Sequence, residues 1–97
     1  MKDYLEINKT ILSSLKKFNP EIIGLFGSYS RNENKEGSDL DILVRFKDSI
    51  SMFQLIRIEN DLSEKLGIKV DLVTEGAIKN SRLKSRIEKD LQIIYKV

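Results

Sequence analysis

Apolar residues recur along the chain with a spacing typical of helices in three places. From residue 3 to residue 18 they fall at steps of three and four, which predicts an amphipathic helix with one buried stripe. The same spacing runs through residues 53–66, and Gly67 follows as a natural helix end. A third helical pattern begins near Ala77. The sequence therefore predicts three helices.

Other apolar stretches have the length and alternation of strands. Residues 22–26 form a short apolar run closed by Gly27, which favours a buried strand. Residues 39–46 alternate between apolar and polar positions, and residues 68–73 do so again. Residues 92–97 have the character of a short edge strand. These patterns predict four strands.

The order of these elements is helix, strand, strand, helix, strand, helix, strand. This order predicts a single α+β domain over residues 1–97, built on a mixed sheet of about four strands. We expect the helices to pack on one face of the sheet and to leave the other face open.

Composition narrows the chemistry that this domain can perform. The 97 residues include no cysteine and no histidine, which excludes thiolate nucleophiles, the usual zinc sites and imidazole catalysis. A net charge of +2 is too small to indicate direct nucleic-acid binding. The chain has no apolar run long enough for a membrane span and no signal-peptide pattern at its start, so we expect no membrane association and a cytoplasmic location.

Three aspartates stand out on the predicted strands. Asp39 and Asp41 are two residues apart, so their side chains emerge on one face with Cα atoms about 6 to 7 Å apart. Two carboxylates this close repel unless a cation lies between them, and Mg²⁺ prefers such oxygen ligands. Asp71 lies on the non-core face of another strand. If the two strands are neighbours, three carboxylates converge, which is enough for a two-metal site of the kind used in nucleotidyl transfer.

A possible phosphate site precedes this pair of aspartates. Gly27 and Ser28 end a buried strand, where glycine lets the backbone approach a ligand and free N–H groups favour an anion. Arg31 adds a guanidinium that can bind a phosphate. The sequence thus places a phosphate site next to candidate metal ligands.

Each of these features alone also has an ordinary structural explanation. Gly27-Ser28 is explained by a turn, and the Asp39/Asp41 pair by two solvated carboxylates. Asp71 is explained as the outward residue of a half-exposed strand. The combination favours function, because carboxylates are poor strand formers and here they occupy one face of otherwise apolar strands.

The motifs resemble a known family. Taken in order, GS at 27–28, Arg31, SDLDILV at 38–44 and VDLV at 70–73 resemble the minimal nucleotidyltransferases (MNT) of the DNA polymerase beta superfamily. That family's pattern is G-S-x-A-R-G, a spacer, then S-D-x-D followed by hydrophobic residues.

Two positions depart from the family pattern. Ser30 stands where alanine is usual, and Asn32 stands where glycine is usual. Serine is nearly as small as alanine, and asparagine adopts left-handed backbone conformations more readily than most residues. We therefore expect the site to be retained.

The resemblance implies a role for each matching residue. Gly27 and Ser28 would bind the triphosphate of ATP or another NTP, with Arg31 and Ser38 as further nucleotide-binding residues. The remaining matches imply a two-metal Mg²⁺ site and the catalytic carboxylates, at Asp39, Asp41 and Asp71.

The resemblance also implies a reaction and a partner. The family includes antitoxins that act on HEPN-domain toxins, so the implied reaction is transfer of AMP from ATP to a tyrosine hydroxyl of such a toxin. The resemblance leaves open which acceptor and which NTP are used. It also leaves open whether the protein forms a homo- or hetero-oligomer.

Two other functions are compatible with the sequence. One is a binding module that neutralises its partner by complex formation without catalysis. The other is a nucleotidyltransferase for small molecules, although such enzymes generally carry a further domain for the acceptor. Residues 79–89 are rich in basic side chains, which predicts a docking face for an acidic partner, a contact with phosphates, or simply a solvated helix face.

Overall fold

The described part of the chain forms three α-helices and four strands, in the predicted order. The structure is a computed structural model, and it describes residues 4–29, 39–74 and 81–97. The predicted start of the third helix near Ala77 lies outside the described residues. The helices are α1 (Tyr4–Leu15), α2 (Met52–Leu66) and α3 (Ser81–Asp90), and the strands are β1 (Pro20–Phe26), β2 (Leu40–Phe46), β3 (Val70–Thr74) and β4 (Gln92–Lys96). Short 3₁₀ turns follow α1 at Lys16–Phe18 and β1 at Gly27–Tyr29.

The four strands form one mixed sheet in the order β3-β2-β1-β4. β1 pairs antiparallel with both β2 and β4, whereas β2 and β3 are parallel. Parallel neighbours need a crossover connection, which α2 provides between β2 and β3. The two strands that carry the predicted carboxylates are therefore neighbours in the sheet.

The main core lies between α1, α2 and one face of the sheet. Three of the apolar residues at steps of three and four in each helix are buried, as predicted from their spacing, and Leu55 of α2 is half-buried. The buried residues pack against the alternating apolar residues of the strands. The principal members are Ile7, Ile11 and Leu15 of α1, Ile58, Leu62 and Leu66 of α2, and Ile23, Leu25, Leu40, Ile42, Val44 and Val70 of the sheet.

The third helix packs on the opposite face of the sheet, where the sequence predicted an open surface. Ile87 of α3 is buried in a second cluster with Phe26 and Leu43. These two strand residues are apolar and point away from the main core, so burying them against α3 is favourable. Gly24 permits close approach here, since a Cβ built on it would lie 2.5 Å from Leu91 Cδ1. The predicted α+β class and four-stranded mixed sheet are confirmed, and the placement of all helices on one face is corrected.

Helix α2 is fixed at both ends by local hydrogen bonds. The Ser51 hydroxyl accepts from the Gln54 amide at 3.2 Å, and the Gly67 amide donates to the Ser63 carbonyl at 2.9 Å. Gly67 has a φ of 67°, the left-handed conformation that commonly ends a helix. Within the described ranges, no helix combines the length and apolar character needed to cross a membrane.

Removing the Ser51 cap has a predictable effect on stability. We expect Ser51→Ala to lower the free energy of unfolding by about 1 kcal/mol, because the Gln54 amide loses its acceptor at the helix start. Urea unfolding followed by circular dichroism measures this change. A free energy of unfolding equal to that of the unmodified protein would show that the cap does not stabilise α2.

Candidate active site

The central feature of the site is a pair of aspartates on adjacent strands. Asp41 of β2 and Asp71 of β3 are direct partners in the parallel register. Paired residues of neighbouring strands project to the same face, with backbones roughly 5 Å apart. Asp41 is half-buried and Asp71 is exposed. The structure therefore brings together two of the three predicted carboxylates.

Gly27 lies against the carboxylate of Asp41. Phe26, the last residue of β1, pairs with Asp41, and Gly27 follows it with a φ of 77°. A Cβ built on Gly27 would overlap Oδ2 of Asp41. Glycine is therefore needed here for two reasons, the left-handed backbone and the space that the carboxylate occupies.

Asp39 has a different neighbour. It directly precedes β2, is exposed, and its Oδ2 lies 4.0 Å from Nζ of Lys69. The backbone brings these two residues together, because the Leu40 amide donates to the Lys69 carbonyl at 2.8 Å. In the part of the chain that the structure describes, no three carboxylate, histidine or cysteine side chains lie close enough to hold one ion. Asp39 shares the face of Asp41 by strand alternation, but its carboxylate pairs with a lysine.

The predicted phosphate-binding residues are described only in part. Gly27 and Ser28 belong to the 3₁₀ turn Gly27–Tyr29, which directly follows β1, as the sequence predicted. The side chain of Ser28 and all of Arg31 and Ser38 lie outside the described residues. Their roles stay predictions, whereas Gly27 is placed beside Asp41.

Comparison with known proteins identifies the family of this domain. The family model for the nucleotidyltransferase domain matches residues 5–94. The chain belongs to the nucleotidyltransferase domain family. A relative in Methanocaldococcus jannaschii, named as a candidate protein adenylyltransferase, is 47% identical over 91 residues, which cover 94% of this chain and 91% of the relative. The protein adenylyltransferase MntA of Thermococcus cleftensis is 42% identical over 96 residues, and the match covers 94% of this chain and 94% of MntA.

The fold of this nucleotidyltransferase domain is also found in a solved structure. A tri-AMPylated Shewanella oneidensis HEPN toxin in complex with MNT antitoxin contains a chain that matches with a TM-score of 0.77. The match covers 96% of this chain and 72% of the other, at 22% identity, which shows a shared fold. The predicted family and fold are therefore confirmed. Nucleotidyltransferases of this family generally use a divalent metal ion.

Three polar residues around the site were missed by sequence reasoning. Lys69 pairs with Asp39, and Glu59 and Ser63 of α2 accept hydrogen bonds from the backbone of β3. Lys69 lies two residues before Asp71, so the register between β2 and β3 was needed to place it beside Asp39. For Glu59 and Ser63 the sequence offers only a weak indication of a structural role, which is that these polar residues flank the apolar stripe of an amphipathic helix.

The described part of the basic segment, residues 81–89, lies on the same face of the sheet as Asp41 and Asp71. Its described part belongs to α3, where Arg82, Lys84 and Lys89 are exposed. An open cleft of about 320 Å³ runs between α3 and the sheet, with an apolar floor that includes Leu43 and Ile87. The predicted role of this segment in docking or phosphate contact stays a prediction.

Proposed function

We propose that this nucleotidyltransferase domain transfers AMP from ATP to a tyrosine hydroxyl of a helical HEPN-type toxin, and so acts as an antitoxin. The observation that carries the proposal is the register pair of Asp41 and Asp71 beside Gly27. Two like charges on one sheet face are unfavourable, which favours a function in which a cation neutralises them. The choice of ATP and of a protein acceptor is supported by the names of the relatives in Methanocaldococcus and Thermococcus.

The residues present fit a divalent metal ion. Mg²⁺ is commonly held by one or two carboxylates together with substrate phosphates, and Asp41 and Asp71 provide two carboxylates side by side. The absence of a Cβ at Gly27 leaves room for the Asp41 carboxylate and for a phosphate close to the backbone. When the carboxylate of Asp39 separates from the Lys69 ammonium group, it would join those of Asp41 and Asp71 and complete the proposed two-metal site. Bound Mg²⁺ would neutralise charge on the phosphates and lower the pKa of the attacking hydroxyl.

The residues of the chain have distinct roles in the proposed transfer. The Gly27–Tyr29 turn binds the triphosphate, because the lack of a side chain at Gly27 lets the backbone approach a phosphate, and Arg31 and Ser38 assist. The acceptor oxygen forms a bond to the α-phosphorus, the bond between that phosphorus and the bridging oxygen breaks, and pyrophosphate leaves. Asp71 accepts the proton of the attacking hydroxyl. With no histidine in the chain, a carboxylate is the natural base.

The proposal of an HEPN-type acceptor rests on the solved complex with the same fold. In that complex an AMPylated HEPN toxin is bound to an MNT antitoxin. The acceptor in this proposal is therefore a partner protein, which brings its own hydroxyl to the face where Asp41 and Asp71 lie.

A labelling experiment tests this function. The purified protein is incubated with α-³²P-labelled ATP, Mg²⁺ and a cognate HEPN-type protein, and label on this partner is measured after electrophoresis. We expect the partner to be labelled in the reaction with the wild-type protein. We expect no label on the partner in the reaction with the Asp39→Asn/Asp41→Asn double variant. Absence of label in both reactions rejects the transferase function.

The same variant separates catalysis from simple binding. If the Asp39→Asn/Asp41→Asn protein, at equal expression, still neutralises the toxin in growing cells, then complex formation is sufficient and the binding-module function is correct. Loss of neutralisation together with retained complex formation in a pull-down supports catalysis.

Lys69 is expected to compete with metal for Asp39. We predict that Lys69→Gln strengthens Mn²⁺ binding by about two- to five-fold in the absence of nucleotide, since an exposed pair of this kind contributes up to about 1 kcal/mol. Calorimetric titration with Mn²⁺ at low salt measures the change. Lys47→Gln, at an exposed lysine just after β2, is the control and should leave affinity unchanged. Equal affinity for Lys69→Gln and the control would show that the lysine does not compete.

A further inference from the structure

The strand that carries Asp71 is held from both sides. β3 is an outer strand of the sheet, with β2 on its inner edge. On its outer edge, the Val70 amide donates to Ser63 Oγ at 2.9 Å and the Leu72 amide donates to Glu59 Oε2 at 2.8 Å. These two amides are the immediate neighbours of Asp71 along the chain. Two side chains of α2 therefore hold the backbone on either side of the candidate catalytic carboxylate.

The spacing of the two helix residues matches that of the strand. Glu59 and Ser63 are one helical turn apart, which is a rise of about 6 Å. Val70 and Leu72 are two residues apart on a strand, which is about 6.6 Å. The match lets both hydrogen bonds form at once without bending either element. The two hydrogen bonds also give acceptors to the Val70 and Leu72 amides on the outer edge of β3.

Glu59 differs from Ser63 because its acceptor is charged. A carboxylate that accepts from a backbone N–H forms a stronger bond than a hydroxyl does. Glu59 is half-buried, and its carboxylate is directed to the outer edge of β3 while Asp71 projects from the sheet face. Glu59 is thus an acidic residue close to the site that contacts backbone instead of adding a further ligand.

We propose that Glu59 is a positioning residue, which holds β3 in place through the Leu72 amide so that the carboxylate of Asp71 stays beside that of Asp41. The inference rests on the proposed function, because it assigns Asp71 to the metal and acceptor site. Small displacements of a metal ligand reduce metal affinity even when the ligand itself is unchanged. Loss of the Glu59 carboxylate should therefore weaken metal binding more than a substitution elsewhere that lowers the free energy of unfolding by the same amount.

The test measures Mn²⁺ binding to the whole protein by electron paramagnetic resonance, which needs neither acceptor nor nucleotide. We expect Glu59→Ala to weaken Mn²⁺ binding by about 10-fold, within the range typical of residues that orient metal ligands. Glu59→Gln keeps a side-chain oxygen as acceptor and should recover most of this loss. Hydrogen exchange of the Leu72 amide should be faster in Glu59→Ala and close to that of the wild type in Glu59→Gln.

Ser51→Ala is the matched control, since it removes a different hydrogen bond of the same helix, at the helix start and about two turns before Glu59. It should lower stability and leave Mn²⁺ affinity unchanged. Equal affinities for Glu59→Ala and Ser51→Ala overturn the proposal, and so does a failure of Glu59→Gln to recover binding. If Glu59→Ala does not fold, Ser63→Ala, which removes the acceptor of the Val70 amide, takes its place with the same expectation.

A further variant separates this inference from the proposed function. Asp71→Asn should weaken Mn²⁺ binding at least as much as Glu59→Ala does. If Asp71→Asn binds Mn²⁺ as the wild type does, the assignment of Asp71 to the site fails, and the role of Glu59 fails with it. If Asp71→Asn is impaired while Glu59→Ala is not, only the positioning role fails.

Discussion

Asp41→Asn is expected to reduce AMP transfer by at least about 100-fold. Asparagine has nearly the same shape as aspartate but lacks the charge that holds a cation. Changes to residues that merely orient metal ligands already cost about 10- to 100-fold, so a direct ligand should cost more. Asp41 is the best-placed of the three aspartates, because it contacts Gly27 on one side and pairs with Asp71 on the other. Labelled ATP with the partner protein as acceptor measures the rate.

The same variant should not be less stable than the wild type in the absence of metal. Removing one of two neighbouring like charges relieves repulsion, and functional sites often cost stability in this way. We therefore expect an equal or higher melting temperature for metal-free Asp41→Asn, and loss of the increase that Mg²⁺ with ATP gives the wild type. The combination distinguishes a lost ligand from a damaged fold.

Asp48→Asn is the control for this prediction. Asp48 is an exposed aspartate just beyond the far end of β2, so the substitution changes net charge equally and leaves the site intact. It should transfer AMP at the wild-type rate. Retained activity in Asp41→Asn, or an equal loss in Asp48→Asn, would contradict the assignment of Asp41.

Much of the fold follows from the period of the apolar residues. Helix α2 was predicted over 53–66 and is found at Met52–Leu66. The prediction succeeds because Ile58, Leu62 and Leu66 form one apolar stripe, which packs against the main core. Strand alternation likewise placed Asp41 on the face opposite the main core. These features depend on local sequence alone, which is why they could be predicted.

The features that were not predicted depend on which elements meet. Alternation gives the face of Asp71, but only the parallel register between β2 and β3 makes it the partner of Asp41. The pairing of Asp39 with Lys69 depends on the same register. The position of α3 on the second face was missed because the stripe of a short amphipathic helix fits either face. Phe26, an apolar residue on the face assigned to solvent, was the available signal.

Gly27→Ala should lower both activity and stability. An alanine at a φ of 77° adopts a left-handed conformation that costs about 1 to 2 kcal/mol. Its Cβ would also overlap the Asp41 carboxylate, which must then leave its position beside Asp71 and Gly27. A displacement of about 1 Å at a catalytic group can cost about 100-fold in rate, and we expect a loss of that size. Transfer of label from ATP gives the rate, and urea unfolding gives the stability.

Gly67→Ala separates the two effects of this substitution. Gly67 has a φ of 67°, close to that of Gly27, but a Cβ built on it has no atom within 4 Å. The backbone strain in Gly67→Ala should therefore match that in Gly27→Ala. We expect Gly67→Ala to lose a similar amount of unfolding free energy but to transfer AMP at the wild-type rate. If both variants lose activity in proportion to stability, the glycine after β1 matters only for the turn. If Gly27→Ala alone loses activity, contact between Gly27 and the Asp41 carboxylate is a requirement of catalysis, since strain is common to both.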